Sequence, residues 1–469
     1  MNSKLVSLFC CLIMLVSFSG CTKVTQLVKD NQPTKAELLA EINEEHQRWS
    51  AAPAADPTPY LRHYDDPADA QKYTDYFTDT YSEYDAAKEL SLEEAEEDVN
   101  YLFDAFYYDF AFYDYFGGHT VFDQAKAEIL QELQAKDSLT CKDLQEVLVK
   151  HLTFIKDGHF NINHNFPAEK EIPFFFRQVM FVKTDSGYQN SKGKTVVSVD
   201  GHPDLDALFK RSISQEGYLV YYPVLLKEAK FDGTEWDKHV CDEQLTVHYA
   251  DGSTDVLTAD TWSQYYKDLP KGQNTDLRQT DGIPVFQFNS FDGSFLQEVN
   301  AAAAQMSNAG VSMLDLRSNI GGYEEVAHQW INRYSRQRVF STGVRYSVLS
   351  ASLVASPSTS KTPRASNDNI LILLSGKCSA SSAEITLDLS YNLDNSLIIG
   401  ENTNGSMIGN AGHIELPNSK CSVTMTASTV YLTPDGSDYF EEMRGLSPDI
   451  WVPAKEAETL AAKLMENLK

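Results

Sequence analysis

Ser379, Ser381 and Ser382 crowd one short stretch, Ser375-Gly-Lys-Cys-Ser-Ala-Ser-Ser-Ala-Glu-Ile385. The four apolar residues 371–374 before it predict a buried strand, and residues 383–389 carry apolar side chains at helical spacing. Serines therefore stand where a strand turns into a helix. The first N–H groups of a helix lack partners and lie at its positive end, so they stabilise charge developing on a nearby oxygen. A serine there either caps the helix or is presented as a nucleophile. A nucleophile needs a base and donors for an oxyanion. Leu314-Asp-Leu-Arg-Ser-Asn-Ile-Gly-Gly322 ends a predicted strand in paired glycines, whose bare backbone permits close approach. Among eleven histidines, Asp157-Gly-His159 and Gly117-Gly-His-Thr120 sit in turn-like surroundings.

The elements that must position these groups follow from periodicity. Capping boxes at Thr34-Lys-Ala-Glu37 and Ser91-Leu-Glu-Glu94 open helices. Residues 102–116 hold nine aromatics, read as packing within a helical layer, with a peptide groove as the alternative. A further helix is expected from Cys141 through Ile155, ending at Gly158. Residues 166–279 alternate as strands with Asp-Gly turns, and Val196-Val-Ser-Val-Asp-Gly-His-Pro203 resembles the strand and turn of PDZ-type modules. From about 280, strands at 285–288, 311–316, 371–374 and 397–399 alternate with helices, the pattern of an α/β layer. The expected division is 1–20 signal segment, 21–90 tether and peripheral helix, 91–165 helical domain, 166–279 β-rich region and 280–469 catalytic domain.

Composition narrows the function classes. The 469 residues include 39 basic and 67 acidic side chains, a formal charge of −28. Phosphate recognition needs a basic surface, so nucleic acid is not an expected partner. Lys4 precedes an apolar run from 5 to 18, too short to span a bilayer and shaped like a signal-peptide core. It ends in Phe18-Ser-Gly-Cys21, which resembles the bacterial lipoprotein processing site and implies cleavage before Cys21 and lipid attachment there. Thr22 follows, not aspartate, so the expectation is a lipid anchor in the outer membrane of a bacterial cell envelope. The four cysteines beyond it form no CxxC pair; Cys378 and Cys421 could pair within the last domain.

Four segments together resemble the serine peptidases that comprise C-terminal processing (tail-specific) proteases and the tricorn core protease. They are the glycine turn at 314–322, the serine turn at 379–385, Gly400-Glu-Asn-Thr-Asn-Gly405, and Glu442-Met-Arg-Gly-Leu-Ser-Pro-Asp-Ile450. The resemblance implies a crotonase/ClpP-like α/β core with an N-terminal helical domain, and peptide-bond hydrolysis without cofactor or metal. Alignment on Glu384 makes Ser381 the nucleophile, with the Ser382 N–H as half of the oxyanion hole and Gly321 or Gly322 as the other half. Where one branch carries a lysine base, this chain has Ser406, and neither Lys377 nor Lys420 matches the motif. The chain therefore lies nearer the tricorn and retinoid-binding-protein branch, whose D-G-H motif matches His159 as base. Glu442, with Glu441 as near alternative, would act on His159 through a second serine. Gly158 stands where that serine would precede the histidine. The rival expectation is a peptide- or ligand-binding lipoprotein of the same fold without catalysis.

Overall fold

The computed structural model describes residues 25–73, 76–230, 237–350, 352–353, 364–434 and 439–468; the signal segment and Cys21 lie outside these. Helix α1 (Lys35–Ser50) opens on the Thr34 capping box. It is not peripheral as expected. Leu38 and Ile42 are buried in the core of the α/β layer, and His46 Nε2 lies 2.9 Å from Asp449 Oδ1. Apolar residues spaced by four gave α1 a stripe to bury.

Helices α2 (Leu92–Asp109), α3 (Gly118–Gln134) and α4 (Cys141–His151) form the helical region. The aromatic run packs inward: the Phe106 ring lies 5.7, 5.3 and 5.8 Å from those of Phe110, Phe122 and Phe160. Helix α4 stops at His151, short of the expected Ile155. Leu152 and Ile155 are still buried, but from turns, so the apolar spacing outlasts the helix. The turn ends in β1 (Asn161–Ile162).

The middle of the chain is β-rich. Strands β2 (Lys170–Phe175), β3 (Phe181–Thr184) and β4 (Gly187–Asn190) precede β5 (Val196–Val199), β6 (Phe209–Ile213) and β7 (Leu219–Ala229). Then come β8 (Gln244–Tyr249) and β9 (Thr254–Thr258). One sheet runs β2-β7-β3-β4 with β6 also on β7, and a smaller one runs β9-β8-β5.

The α/β layer begins earlier than the expected boundary at 280, because β10 (Thr275–Thr280) is hydrogen-bonded antiparallel to β11 (Ile283–Phe288). There follow α5 (Leu296–Met306), β12 (Val311–Asp315), α6 (Glu324–Ser335), β13 (Val344–Ser347) and β14 (Ile370–Ser375). The chain continues through α7 (Ser382–Ser390), β15 (Ser396–Gly400), β16 (Gly409–Glu415), β17 (Ser422–Leu432), β18 (Ile450–Trp451) and α8 (Ala457–Asn467).

The main sheet has the order β10-β11-β12-β14-β15-β18, parallel from β11 onward. Strand β14 is apolar throughout because both its faces are covered. Leu371 and Leu373 enter the core beside α5, α6 and α7, while Ile370, Ile372 and Leu374 enter the core beside α1 and α8. A second sheet runs β13-β17-β16, and β1 pairs with β17. That pairing carries the end of the helical region to the second sheet. Cys378 lies in the core of the β-rich region and Cys421 in that of the helical region, and both are free thiols. The expected Cys378–Cys421 pair is therefore corrected: the two belong to different cores.

Candidate active site

The parallel strands β12, β14 and β15 all end at one edge of the sheet, and ligands bind in α/β folds beyond such carboxyl ends. Each strand feeds one turn of the site. The three turns interlock through hydrogen bonds: Ala380 N–H donates to Asn319 O at 3.0 Å, and Asn404 N–H donates to Ser379 O at 2.9 Å. Ser382 Oγ donates to Gly322 O at 2.7 Å. Beneath the glycine turn, Arg317 is buried and donates to both oxygens of Asp315, to Glu458 and to the Ala454 carbonyl.

Ser381 heads α7 with φ 54° and ψ −117°. The three other capping-box residues among the described residues, Thr34, Ser91 and Thr140, adopt extended backbone there, with φ between −122° and −68° and ψ between 159° and 167°. An ordinary cap does not need the left-handed region. A non-glycine residue held there costs of order 1–3 kcal/mol, a strain characteristic of nucleophile turns between strand and helix. Ser381 is half-buried, whereas its neighbours Ser379 and Ser382 are buried.

Glu384, fully buried one turn into α7, fixes this geometry. Its Oε2 accepts from Ser381 N–H at 3.0 Å, Ser406 N–H at 2.9 Å and Ser406 Oγ at 3.2 Å. Its Oε1 accepts from Thr403 Oγ1 at 2.5 Å and Gly405 N–H at 2.8 Å. Ser406 Oγ also accepts from Ser381 N–H at 3.2 Å, so the residue standing in the lysine position adjoins the serine turn. Lys377 is turned the other way, its ammonium donating to the Thr403, Asn404 and Arg444 carbonyls. Lys420 pairs with Glu415 at 3.3 Å.

Gly321 and Gly322 both have positive φ, +99° and +125°. A Cβ on Gly321 would lie 2.9 Å from Ser381 Cβ and 3.3 Å from the Ser382 nitrogen, so a side chain is excluded where the two turns touch. The Gly321 N–H is taken by Asn319 Oδ1 at 2.8 Å. Among the described residues the N–H groups of Gly322 and Ser382 have no partner, which makes Gly322 rather than Gly321 the available second donor. Ile320 and Tyr323, 61% and 73% exposed, flank this pair on the open side.

His159 arrives on the turn between α4 and β1. Asp157 shapes that turn, accepting from His159 N–H at 3.0 Å and from Thr426 N–H and Oγ1 at 2.9 Å each. The imidazole is nine-tenths buried, and neither ring nitrogen is hydrogen-bonded; Asp157 Oδ1 lies 4.0 Å from Nδ1. The Ser381 hydroxyl is therefore not engaged with the imidazole in this conformation. Donor atoms of Asp157, His159 and Glu442 lie within 4.8 Å of one another. The Asp157 oxygens are already filled by three donors, so the group suits proton transfer better than an ion cage. Burial pushes the imidazole below its usual range, with Lys170 and His413 adding to the effect and Asp157 opposing it. Burial, reinforced by Asp157 and Glu384, pushes the Glu442 carboxyl well above its own range.

Glu442 Oε1 accepts from the Gly158 N–H at 2.8 Å. It addresses the histidine turn directly, without an intervening serine. Glu441 instead is exposed and pairs with Arg444 at 2.8 Å. Gly158 does not end a helix, the role expected of it. A Cβ there would lie 2.0 Å from Gly405 O and 2.7 Å from Ser406 Cβ, so a glycine is required for the histidine turn to rest on the loop at 403–406. The competing His119 is half-exposed at the start of α3, bonded to Tyr113 Oη and near Asp65. Lys170, which no motif flagged, also reaches this site; only the inward alternation of 170, 172 and 174 along β2 signalled it.

The model of peptidase family S41 matches residues 282–452. No curated protein matches the chain in sequence. Among solved structures, mature CPAF is 13% identical over 80% of this chain and 96% of its own, with a TM-score of 0.43. The photosystem II D1 C-terminal processing protease is 14% identical over 80% and 97%, with a TM-score of 0.37. The tricorn protease is 13% identical over 80% of this chain and 37% of its own, with a TM-score of 0.34.

Because no side chain fits at position 158, Gly158→Ser is expected to destabilise by about 1–3 kcal/mol and to lower any activity of the site. Thermal unfolding and a peptide-cleavage assay on the same preparation check this. An unchanged melting temperature would contradict the close packing of the two turns.

Proposed function

We propose that the protein, whose residues 282–452 match the model of peptidase family S41, hydrolyses peptide bonds with Ser381 as nucleophile, His159 as base and Glu442 in support. The observation that carries this reading is the left-handed backbone of Ser381, which the capping-box residues Thr34, Ser91 and Thr140 do not share. In the reaction, His159 takes the proton of Ser381 Oγ as that oxygen attacks the substrate carbonyl carbon. The oxyanion that forms is met by the N–H groups of Ser382 and Gly322. The C–N bond then breaks, His159 returns the proton to the departing amine, and water, activated by the same imidazole, releases the acyl group. Loss of one oxyanion donor costs roughly 3–4 kcal/mol of transition-state stabilisation.

The unengaged imidazole is compatible with this scheme, because catalytic hydrogen bonds are often long in free enzymes and tighten around substrate. The carboxyl of Glu442 beside the imidazole would stabilise its protonated form in the transition state. The protein is further proposed to be lipid-anchored through Cys21 at the outer membrane of a bacterial cell envelope. That reading rests on the sequence before Cys21; no helix among the described residues is long and apolar enough to cross a membrane.

Ser381→Ala and His159→Ala are each expected to lower kcat/KM by 10²-fold or more, read by mass spectrometry on a complex peptide pool. The imidazole must be neutral to act, and burial holds its protonation below the ordinary 6.5. Activity should therefore persist as the pH falls through 6.5 and be lost only below it. Wild-type cleavage by both variants would overturn the assignment of Ser381 and His159, and absence of cleavage by the folded wild-type protein would leave the binding-protein reading in its place. Cys21→Ser should move the protein from the membrane to the soluble fraction, and continued membrane association would contradict the anchor.

A further inference from the structure

Lys170 lies outside every motif of the catalytic site, in the first residue of β2, yet it is fully buried within that site. Its ammonium donates to the Gly158 carbonyl at 3.3 Å and to Asn404 Oδ1, and it lies 4.8 Å from the centre of the Phe166 ring. One cation thus bonds to the turn that carries His159 and to the loop that rests on Ser381. The next residue extends the joint. Glu171 N–H donates to Met443 O at 3.1 Å, its carboxylate binds Arg444, and its carbonyl accepts from Asn402 Nδ2 at 3.0 Å. Strand β2 therefore grips both loops flanking Glu442 and Asn404.

We propose that Lys170 is a positioning residue of the peptidase site: it holds the His159 turn against the 403–406 loop and keeps a fixed positive charge beside the imidazole. This rests on the assignment of Ser381 and His159 as the reacting pair.

A buried ammonium is stable only if charges answer it. Lys170 faces Asp157 on the histidine turn, Glu442 beyond β17 and Glu384 on α7, with the Cys378 thiol also near. Lys377 is a further cation in that group. The imidazole itself faces Asp157, Glu442, Lys170 and His413. The Asp157 carboxylate favours imidazolium and would by itself spoil the ring as a base; Lys170 opposes it. Burial pushes the ammonium down to about 8, so it remains charged at neutral and acidic pH. In this chain Ser406 occupies the loop next to the nucleophile, and the cation of the neighbourhood enters instead from the β-rich region.

The test compares Lys170→Met, Lys170→Gln and Lys170→Arg in the full chain, with Ser381→Ala and His159→Gln as references. Removing the charge should move the acid limb of kcat/KM to higher pH and lower kcat on the order of tenfold to a hundredfold, the scale of a small misplacement. Lys170→Arg, which keeps the charge, should lower kcat but leave the limb where it is. Lys170→Gln keeps a donor for the Gly158 carbonyl and is read alongside Lys170→Met in case the latter does not fold. The His159 ring is also titrated by NMR in Ser381→Ala protein, with His159→Gln assigning the signal. Its protonation should rise in pH when Lys170 is neutralised. An unmoved imidazole titration in a folded, charge-neutral variant would overturn the proposal. That readout needs no activity, whereas cleavage that survives Ser381→Ala would instead sink the peptidase reading.

Discussion

The carboxylate of Glu384 joins the parts of the site that the chain supplies from separate places. It accepts five hydrogen bonds, one from the backbone of Ser381 and four from the loop at 403–406. Burying a carboxylate is costly unless its oxygens are filled, and here they are filled by groups that must then stay in place. The left-handed backbone of Ser381 is sustained by this arrangement, since the N–H it exposes is received by Glu384 and Ser406. The loop so fixed provides the floor on which Gly158 rests, and through Gly158 the histidine turn.

Charge explains why the surrounding regions cannot be separated from the catalytic layer. Asp157, Glu384 and Glu442 lie in or beside the site, and Lys170 and Lys377 answer them from β2 and from the serine turn. On the other side of the sheet edge, Asp315 and Glu458 are held by Arg317 and Arg278. Breaking such a buried pair leaves an uncompensated charge worth about 3–5 kcal/mol. The histidine comes from the helical region and the lysine from the β-rich region. Correct docking of both is a condition for the site to exist, and the helical region docks through an apolar core that it shares with β16 and β17.

What could be read from sequence was local. A strand ending in small hydroxylated residues before a helix, and a strand ending in two glycines, are turns whose physics is contained in a few residues. The α/β layer was legible for the same reason, as was the aromatic packing. The helix expected to reach Ile155 was misjudged because Leu152 and Ile155 are buried from turns, which periodicity cannot distinguish from helix. Gly158 was misread because its reason is a contact with Gly405 and Ser406, some 250 residues away in sequence. Glu384 served as a marker without its bonding being visible, since four of its five donors come from another loop. Lys170 left one trace, a charged residue on the inward alternation of a strand.

The central claim is that Ser381 is a nucleophile made reactive by His159. The most direct measurement is covalent trapping: the protein is treated with a fluorophosphonate and the adduct mapped by peptide mass spectrometry. A single adduct on Ser381, lost in His159→Ala and slowed in Glu442→Gln, is the predicted result. No adduct on folded protein, or modification at Ser379, Ser382 or elsewhere with Ser381 untouched, would contradict it.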